Sequence, residues 1–289
     1  MRELRVVKLL DRLENAAGLD PLADRVTSVV NAVIRPRSLR DLLHGVPAGH
    51  PLHPVAVMIP IGAWTSVAIL DIVPGRNRAA QTLVGAGLLG VGPAVASGFT
   101  DWSELHEQQK RVGLVHAAAN VVASGFYLAS YAKRRSGGSG KLLALAGLAV
   151  VSASGFIGGH LSYRQAAGAN HAEDVPHLFP TGWHRLARLD SLTDGEPTSM
   201  QVGGVPLFAL RRGEGVDVLS NVCSHLSGPL SDGDVKGSGA DACIACPWHG
   251  SEFSIRTGEV VHGPATAPQP RFDTRIVDGV VEVSLPGAG

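Results

Sequence analysis

Two short segments in the last third of the chain concentrate the residues able to do metal chemistry: Cys223-Ser-His225 and, twenty residues later, Cys246-Pro-Trp-His249-Gly250-Ser251. Each offers one thiolate and one imidazole, donors that suit zinc or iron better than magnesium or calcium. A zinc site can take two cysteines and two histidines, but zinc-finger spacing groups like with like. Here each pair is mixed. A two-iron, two-sulfide centre with both cysteines on one iron and both histidines on the other would draw one of each from two clasping loops, which explains the spacing better than zinc does. Cys243 falls outside the pattern and reads as a small buried hydrophobe.

The residues around these pairs are similar to the Rieske family: Leu226 and Gly228-Pro229-Leu230 after the first, Trp248 inside the second, then Gly250, Ser251, Phe253, Gly258 and Gly263-Pro264. The resemblance covers Thr181 to Leu285, about a third of the chain. It implies a 2Fe-2S cluster with Cys223 and Cys246 on the buried iron, His225 and His249 on the solvent-side iron, and Ser251 donating a hydrogen bond to the cluster. Quinol-oxidising members carry a disulfide between positions matched here by Gly228 and Trp248, and a tyrosine where this chain has Phe253. Fewer hydrogen bonds stabilise the reduced, more negative state less, so the expected potential lies low in the ~−150 to +300 mV Rieske range, as in Rieske ferredoxins. Oxygenases of the family need a second domain with a 2-His-1-carboxylate iron, and only about 40 residues follow His249. The resemblance therefore implies electron transfer by a component of an oxidoreductase system, with no catalytic residue of its own. No glycine-rich nucleotide fingerprint follows a strand, so electrons must come from a separate reductase, a quinol or another cofactor.

The elements that position these loops read as short β runs. Leu207–Leu210, Val216–Leu219, Phe253–Ile255 and Val280–Leu285 are strand candidates, with Gly203-Gly204 and Asp278-Gly279 as hairpin turns. Upstream the texture is different. Ala79–Thr100, Val112–Ala132 and Leu142–Tyr163 contain no charged residue, and a shorter run from Val55 to Val73 contains Pro60 and Asp71. Each of the first three can cross a ~30 Å hydrocarbon core as a helix, and with the fourth they predict a transmembrane bundle. Glycines at 85, 87, 90 and 92 predict tight helix packing, since lipid supplies no hydrophobic drive for association. Ala-Ser-Gly-Phe recurs at 96–99, 123–126 and 153–156. Gly49-His50-Pro51-Leu52-His53-Pro54 resembles the lead-in of a bacterial family of four-helix integral membrane domains.

The expected fold is an all-α transmembrane four-helix bundle followed by a small all-β Rieske domain. Its partition is amphipathic helices over 1–48, the bundle over 49–164, a polar linker over 165–180 and the Rieske domain over 181–289. Within the first part, Asp20-Pro21 reads as an N-cap with a first-turn proline, and Ser38 with Asp41 as a capping box. Basic residues punctuate these helices, which suits a membrane surface.

Composition agrees with this. Only 17% of the 289 residues are charged, and the net charge of +0 conceals a basic part up to Pro180 (17 Lys/Arg, 12 Asp/Glu) and an acidic remainder (8 and 13). The acidic half excludes nucleic acid as a partner and leaves a redox partner protein or quinone, with the lipid bilayer around the bundle. The first thirty residues hold no apolar signal-peptide core. Multi-pass insertion in a bacterial inner membrane follows. Basic residues near span ends tie at six on each face, so the positive-inside rule does not choose. A cytosolically assembled cluster places the Rieske domain on the cytoplasmic side, against Arg134-Arg135 as an internal twin-arginine signal.

Three histidines invite a second cofactor. His116 inside the third span and His160 at the end of the fourth, beside Gly158 and Gly159, are the candidate axial ligands of a b-type haem, with His53 as substitute. Interfacial histidines bonded to backbone or headgroups are the competing reading. The leading function is a membrane-bound one-electron carrier relaying between its cluster and haem or quinone at the bundle. The alternative is a membrane-anchored redox sensor or scaffold without turnover. A permease is disfavoured by spans lacking ionisable groups other than histidine and Asp71.

Overall fold

A computed structural model describes residues 5–287. The chain divides into two compact units, one comprising the chain up to Leu39 together with Pro51–Ala167, the other Arg40–His50 together with Gly168 onward.

The first unit is helical throughout. Helices α1 (Arg5–Glu14), α2 (Asp20–Val33) and α3 (Arg37–His44) precede four spans, the last helix α3 crossing into the second unit. The first span is Leu52–Ile72, built from α4 (Leu52–Ala56) and α5 (Met58–Ile72) with a break at Val57; the others are α6 (Asn77–Trp102), α7 (Glu107–Arg135) and Lys141–Arg164, the last comprising α8 (Lys141–Gly159) and a π turn. All four are long and apolar enough to cross a membrane. Helix α5 packs on α6, α6 on α7, α7 on α8 and α8 on α5, which closes the ring. Leu89, Val121, Leu142 and Ile72 point outward, as a lipid-facing surface requires.

The small residues act as notches for large ones. A Cβ at Gly87 would lie 2.1 Å from Trp64 Nε1, and Trp64 in turn stacks on Tyr127 at 3.9 Å. Asp71 is no isolated charge: it accepts a 2.6 Å hydrogen bond from Arg134 Nη2, whose side chain is wholly buried and also donates to Asn77 Oδ1. A buried ion pair survives in this setting because the guanidinium is satisfied by further hydrogen bonds, to Asn77 Oδ1 and Ser130 Oγ.

Two expected caps turn out to do other work. Asp20 is the first residue of α2 and sends its carboxylate to Arg111 at 2.6 and 2.7 Å. Ser38 lies inside α3, and Asp41 binds residues of the second unit's own β region. A long-range guanidinium or imidazole is a stronger partner for a carboxylate than a backbone N–H already served within the helix.

The second unit is a β domain. One sheet has the order β1 (His184–Arg188), β10 (Val280–Ser284), β9 (Arg271–Val277), β4 (Gly215–Ser220), β3 (Val205–Arg212), β2 (Pro197–Val202); the smaller has β5 (Asp234–Lys236), β6 (Cys243–Ala245), β7 (Glu252–Ser254), β8 (Val260–His262). All pairings between these strands are antiparallel, and the two expected hairpin turns join β2 to β3 and β9 to β10. Two apolar cores fill it, one around Leu207, Val218, Val281 and Val283, the other around Phe208, Leu219, Ile244, Phe253 and Ile255. Residues 165–180 are not a free linker beyond Ala167. Ala172, Val175 and Phe179 enter the first core, Val175 on the short helix α9 (Val175–Leu178) and Phe179 just after it, because leaving three apolar side chains in water costs more than ordering the segment.

Candidate metal centre

Three loops emerge at the junctions of the small sheet and the large one. The first, after β4, carries Cys223 and His225. The second is the β6–β7 turn with Cys246, His249 and Ser251. The third, after β8, contains Gly263-Pro264. Each cluster loop closes on itself: Ser227 N donates to Cys223 O at 2.8 Å and Cys223 N to Gly228 O at 2.9 Å, while Cys246 N donates to Ser251 O at 2.8 Å and Gly250 N to Cys246 O at 3.0 Å. Gly250 has φ 71°, and Ser227 adopts φ 65° although it carries a side chain, a local strain of the kind that functional loops retain.

The four expected ligands meet in pairs, Cys223 with Cys246 and His225 with His249. Cys223 and Cys246 are buried, whereas His225 and His249 are half-buried with ring centroids 5.0 Å apart at 85°. The Nδ1 of His225 is sealed from solvent. The Cys223 thiol is hydrogen-bonded to the Cys246 sulfur, which pushes Cys223 up, with burial adding to it. The same hydrogen bond holds Cys246 down to about 7, opposed by burial and helped by the backbone N–H groups of Trp248 and His249. The N–H groups of His225 and Leu226 likewise point at Cys223. Two juxtaposed sulfurs, each receiving two amide N–H bonds, and two imidazoles on the outer side make a donor set that fits a 2Fe-2S cluster with cysteines inside and histidines outside.

Gly228 and Trp248, which stand where a disulfide would be, face each other: a Cβ at Gly228 would lie 2.7 Å from Cys246 Sγ and 3.1 Å from Trp248 Cγ. Trp248 is 51% exposed beside His249. Phe253 is fully buried in β7, and Cys243 is buried in β6 with its thiol raised by desolvation. Ser251 is buried; its Oγ accepts from Ala265 N at 3.0 Å, which orients the remaining O–H.

Sequence reasoning missed the residues that hold these loops. Gln269, 2% exposed, accepts from Ser224 N at 2.8 Å and donates to Ser220 O (3.1 Å) and Val222 O (2.8 Å). Ser224 Oγ donates to Ala267 O at 2.7 Å, and Asn221 accepts from Ser231 N at 2.7 Å. His171, read as linker, meets Ser227 Oγ at 3.1 Å and donates its backbone N–H to Ser224 O. The only local signal was a polar residue between prolines at Pro268-Gln269-Pro270.

The bundle histidines have other partners. His116 Nδ1 lies 2.9 Å from Ser154 O and its Nε2 3.1 Å from Asn120 Nδ2. His160 Nε2 meets Glu14 Oε1 at 2.6 Å. His53 Nδ1 meets Ala94 O at 2.9 Å. The space at Gly158 that would admit a macrocycle is taken by the His116 ring, 3.0 Å from where a Cβ would stand, and His53 fills the equivalent notch at Gly98. Haem gains no support from this arrangement: both ring nitrogens of His116 and the Nε2 of His160 are committed to protein groups, and the His116 ring fills the space beside Gly158.

A β domain whose two loops each bring one cysteine and one histidine to a common point defines a class, the two-loop iron-sulfur electron carriers. The chain belongs to the Rieske 2Fe-2S family, which it matches over residues 182–273, and residues 49–171 match the predicted membrane protein family DUF2231. The ferredoxin subunit of anthranilate 1,2-dioxygenase from Burkholderia cepacia is 37% identical over 103 residues, 36% of this chain and 92% of that protein. The oxygenase component of 3-ketosteroid-9-alpha-monooxygenase from Rhodococcus rhodochrous is 41% identical over 80 residues, 27% of this chain and 19% of that protein, so the chain spans about a fifth of it. Among solved structures, the ferredoxin of carbazole 1,9a-dioxygenase from Nocardioides aromaticivorans aligns at 30% identity over 36% of this chain and 99% of that one, with a TM-score of 0.34.

Proposed function

We propose that this protein is a membrane-bound one-electron carrier in which Cys223 and Cys246 hold the inner iron and His225 and His249 the outer iron of a Rieske 2Fe-2S cluster. The observation that carries the reading is the meeting of the buried cysteines Cys223 and Cys246 in one core, with the half-exposed imidazoles of His225 and His249 5.0 Å apart on the same two loops. When bound, the cluster supplies a single-electron couple. Cys223 and Cys246 keep one side dry, His225 and His249 form the edge through which a partner exchanges electrons, and exposed Trp248 flanks that edge. A redox partner protein suits this edge, since a relative covered over nearly its full length is the ferredoxin subunit of a dioxygenase. The bundle anchors the carrier in the bilayer, with the Rieske domain on the cytoplasmic side. Substrate turnover is assigned to the partner.

The test is metal and sulfide analysis of detergent-purified full-length protein. About two irons and two acid-labile sulfides per chain, and a Rieske-type paramagnetic signal on reduction, are expected. Both disappear in Cys246→Ser. Stoichiometric zinc without iron in native material overturns the reading. A reporter fused after Gly289 that is active only outside the membrane overturns the cytoplasmic placement.

A further inference from the structure

We propose that the segment Arg40–His50, which precedes the first span, is a strap of the Rieske domain, and that its Asp41 is a positioning residue that fixes the third cluster loop and sets the cluster potential. The proposal rests on the cluster reading above. The strap groups with the β domain although 117 residues, 51–167, separate it from the rest of that unit, and Arg40–Ala48 lie outside both family matches.

The contacts are specific. Asp41 Oδ2 lies 2.7 Å from His262 Nδ1, and Asp41 Oδ1 accepts the Gly263 N–H at 3.0 Å. One carboxylate thus grips two consecutive residues at the point where β8 becomes the third loop. Behind it, His44 is 2% exposed, and a Cβ on Gly263 would lie 3.0 Å from Val46 Cγ2 and 3.3 Å from His44 Cδ2, so the strap lies directly against that glycine. The Asp41 side chain is 15% exposed. A carboxylate that has given up most of its water is tolerated only where fixed donors replace it, and both of its oxygens have one.

The third loop is itself joined to the cluster loops. Two residues beyond Gly263, Ala265 N donates to Ser251 Oγ at 3.0 Å, and Ser251 O accepts from Cys246 N at 2.8 Å. Asp41 therefore stands at the head of a short path, through Gly263 and Ala265, to the Ser251 hydroxyl and the loop that bears Cys246 and His249. The charge acts in addition to the position. A poorly hydrated carboxylate is screened less than a surface one, and its negative charge opposes the arrival of an electron. The strap also runs without any spacer through His50-Pro51 into Leu52, the first residue of the first span.

The experiment compares full-length wild type with Asp41→Asn, Asp41→Ala and the control Glu196→Gln, which neutralises an exposed carboxylate elsewhere on the domain. Iron and sulfide content, midpoint potential and g-values of the reduced cluster are measured. Asp41→Asn, nearly isosteric, is expected to keep the cluster and raise the midpoint. Asp41→Ala is expected to raise it and also shift the g-values, because the Gly263 N–H and His262 lose their anchor. Glu196→Gln is expected to match wild type. A midpoint in Asp41→Asn that is unchanged or lowered, with cluster content intact, overturns the proposal. Absence of a cluster from the wild type overturns the cluster reading instead.

Discussion

Gln269→Leu tests whether the cluster is retained by the loops' own hydrogen bonds or by its ligands alone. The substitution keeps side-chain volume and removes three hydrogen bonds, to Ser224 N (2.8 Å), Ser220 O (3.1 Å) and Val222 O (2.8 Å). The residue is 2% exposed, so water does not replace them. At a net ~1 kcal/mol per bond the closed state of the first loop loses about 3 kcal/mol. Each ~1.4 kcal/mol is tenfold, so the population of the opened loop rises by roughly 100-fold. If chelators reach iron only through that opened state, cluster loss should accelerate by the same factor. The assay follows bleaching of visible absorbance in detergent-purified protein after adding excess chelator. Ser224→Ala, which removes only the bond to Ala267 O at 2.7 Å, should accelerate loss about fivefold on the same arithmetic. An acceleration under threefold for Gln269→Leu would show that Gln269 does not gate the site.

Three further outcomes follow from the membrane unit. Asp71→Ala strands the buried Arg134 guanidinium and should cost about 3–5 kcal/mol, read as a lowered thermal midpoint in detergent, while Asp71→Leu with Arg134→Leu should recover most of it. Gly87→Ala puts a methyl 2.1 Å from Trp64 Nε1 and should cost about 1–3 kcal/mol by the same measurement, unless the Trp64–Tyr127 stack moves. The hydrogen bond from Arg111 holds the Asp20 carboxyl below its ordinary value of 3.8, so its contribution is present above that value and lost as pH falls through the lowered one. Hydrogen-exchange protection in Asp20–Val33, corrected for the intrinsic pH dependence of amide exchange, should therefore be constant from neutral pH to pH about 5 and fall in stronger acid, and Asp20→Asn should show the lower protection already at neutral pH.

The chemistry and the two-part organisation of this protein were legible in the sequence because each rests on local information. Cys223-Ser-His225 and Cys246 to His249 are short motifs whose mixed donors carry their meaning in the spacing, and charge-free runs announce spans because lipid penalises every charge individually. Hairpins such as β2–β3 and β9–β10 were legible for the same reason, their turns being glycine pairs or Asp-Gly. The short strands β5, β6 and β8 were not, since three residues hold no period and only the neighbouring strand makes them strands. Nor was any partner of a carboxylate: Asp20 and Asp41 look like caps in sequence, and only packing brings Arg111 within 2.6 Å of the one and His262 within 2.7 Å of the other. The intramembrane histidines illustrate the limit most clearly. A histidine in a span is costly, and the sequence says only that the cost must be met. Tertiary structure decides how, and here Ser154 and Asn120 meet both nitrogens of His116, Glu14 the Nε2 of His160 and Ala94 the Nδ1 of His53.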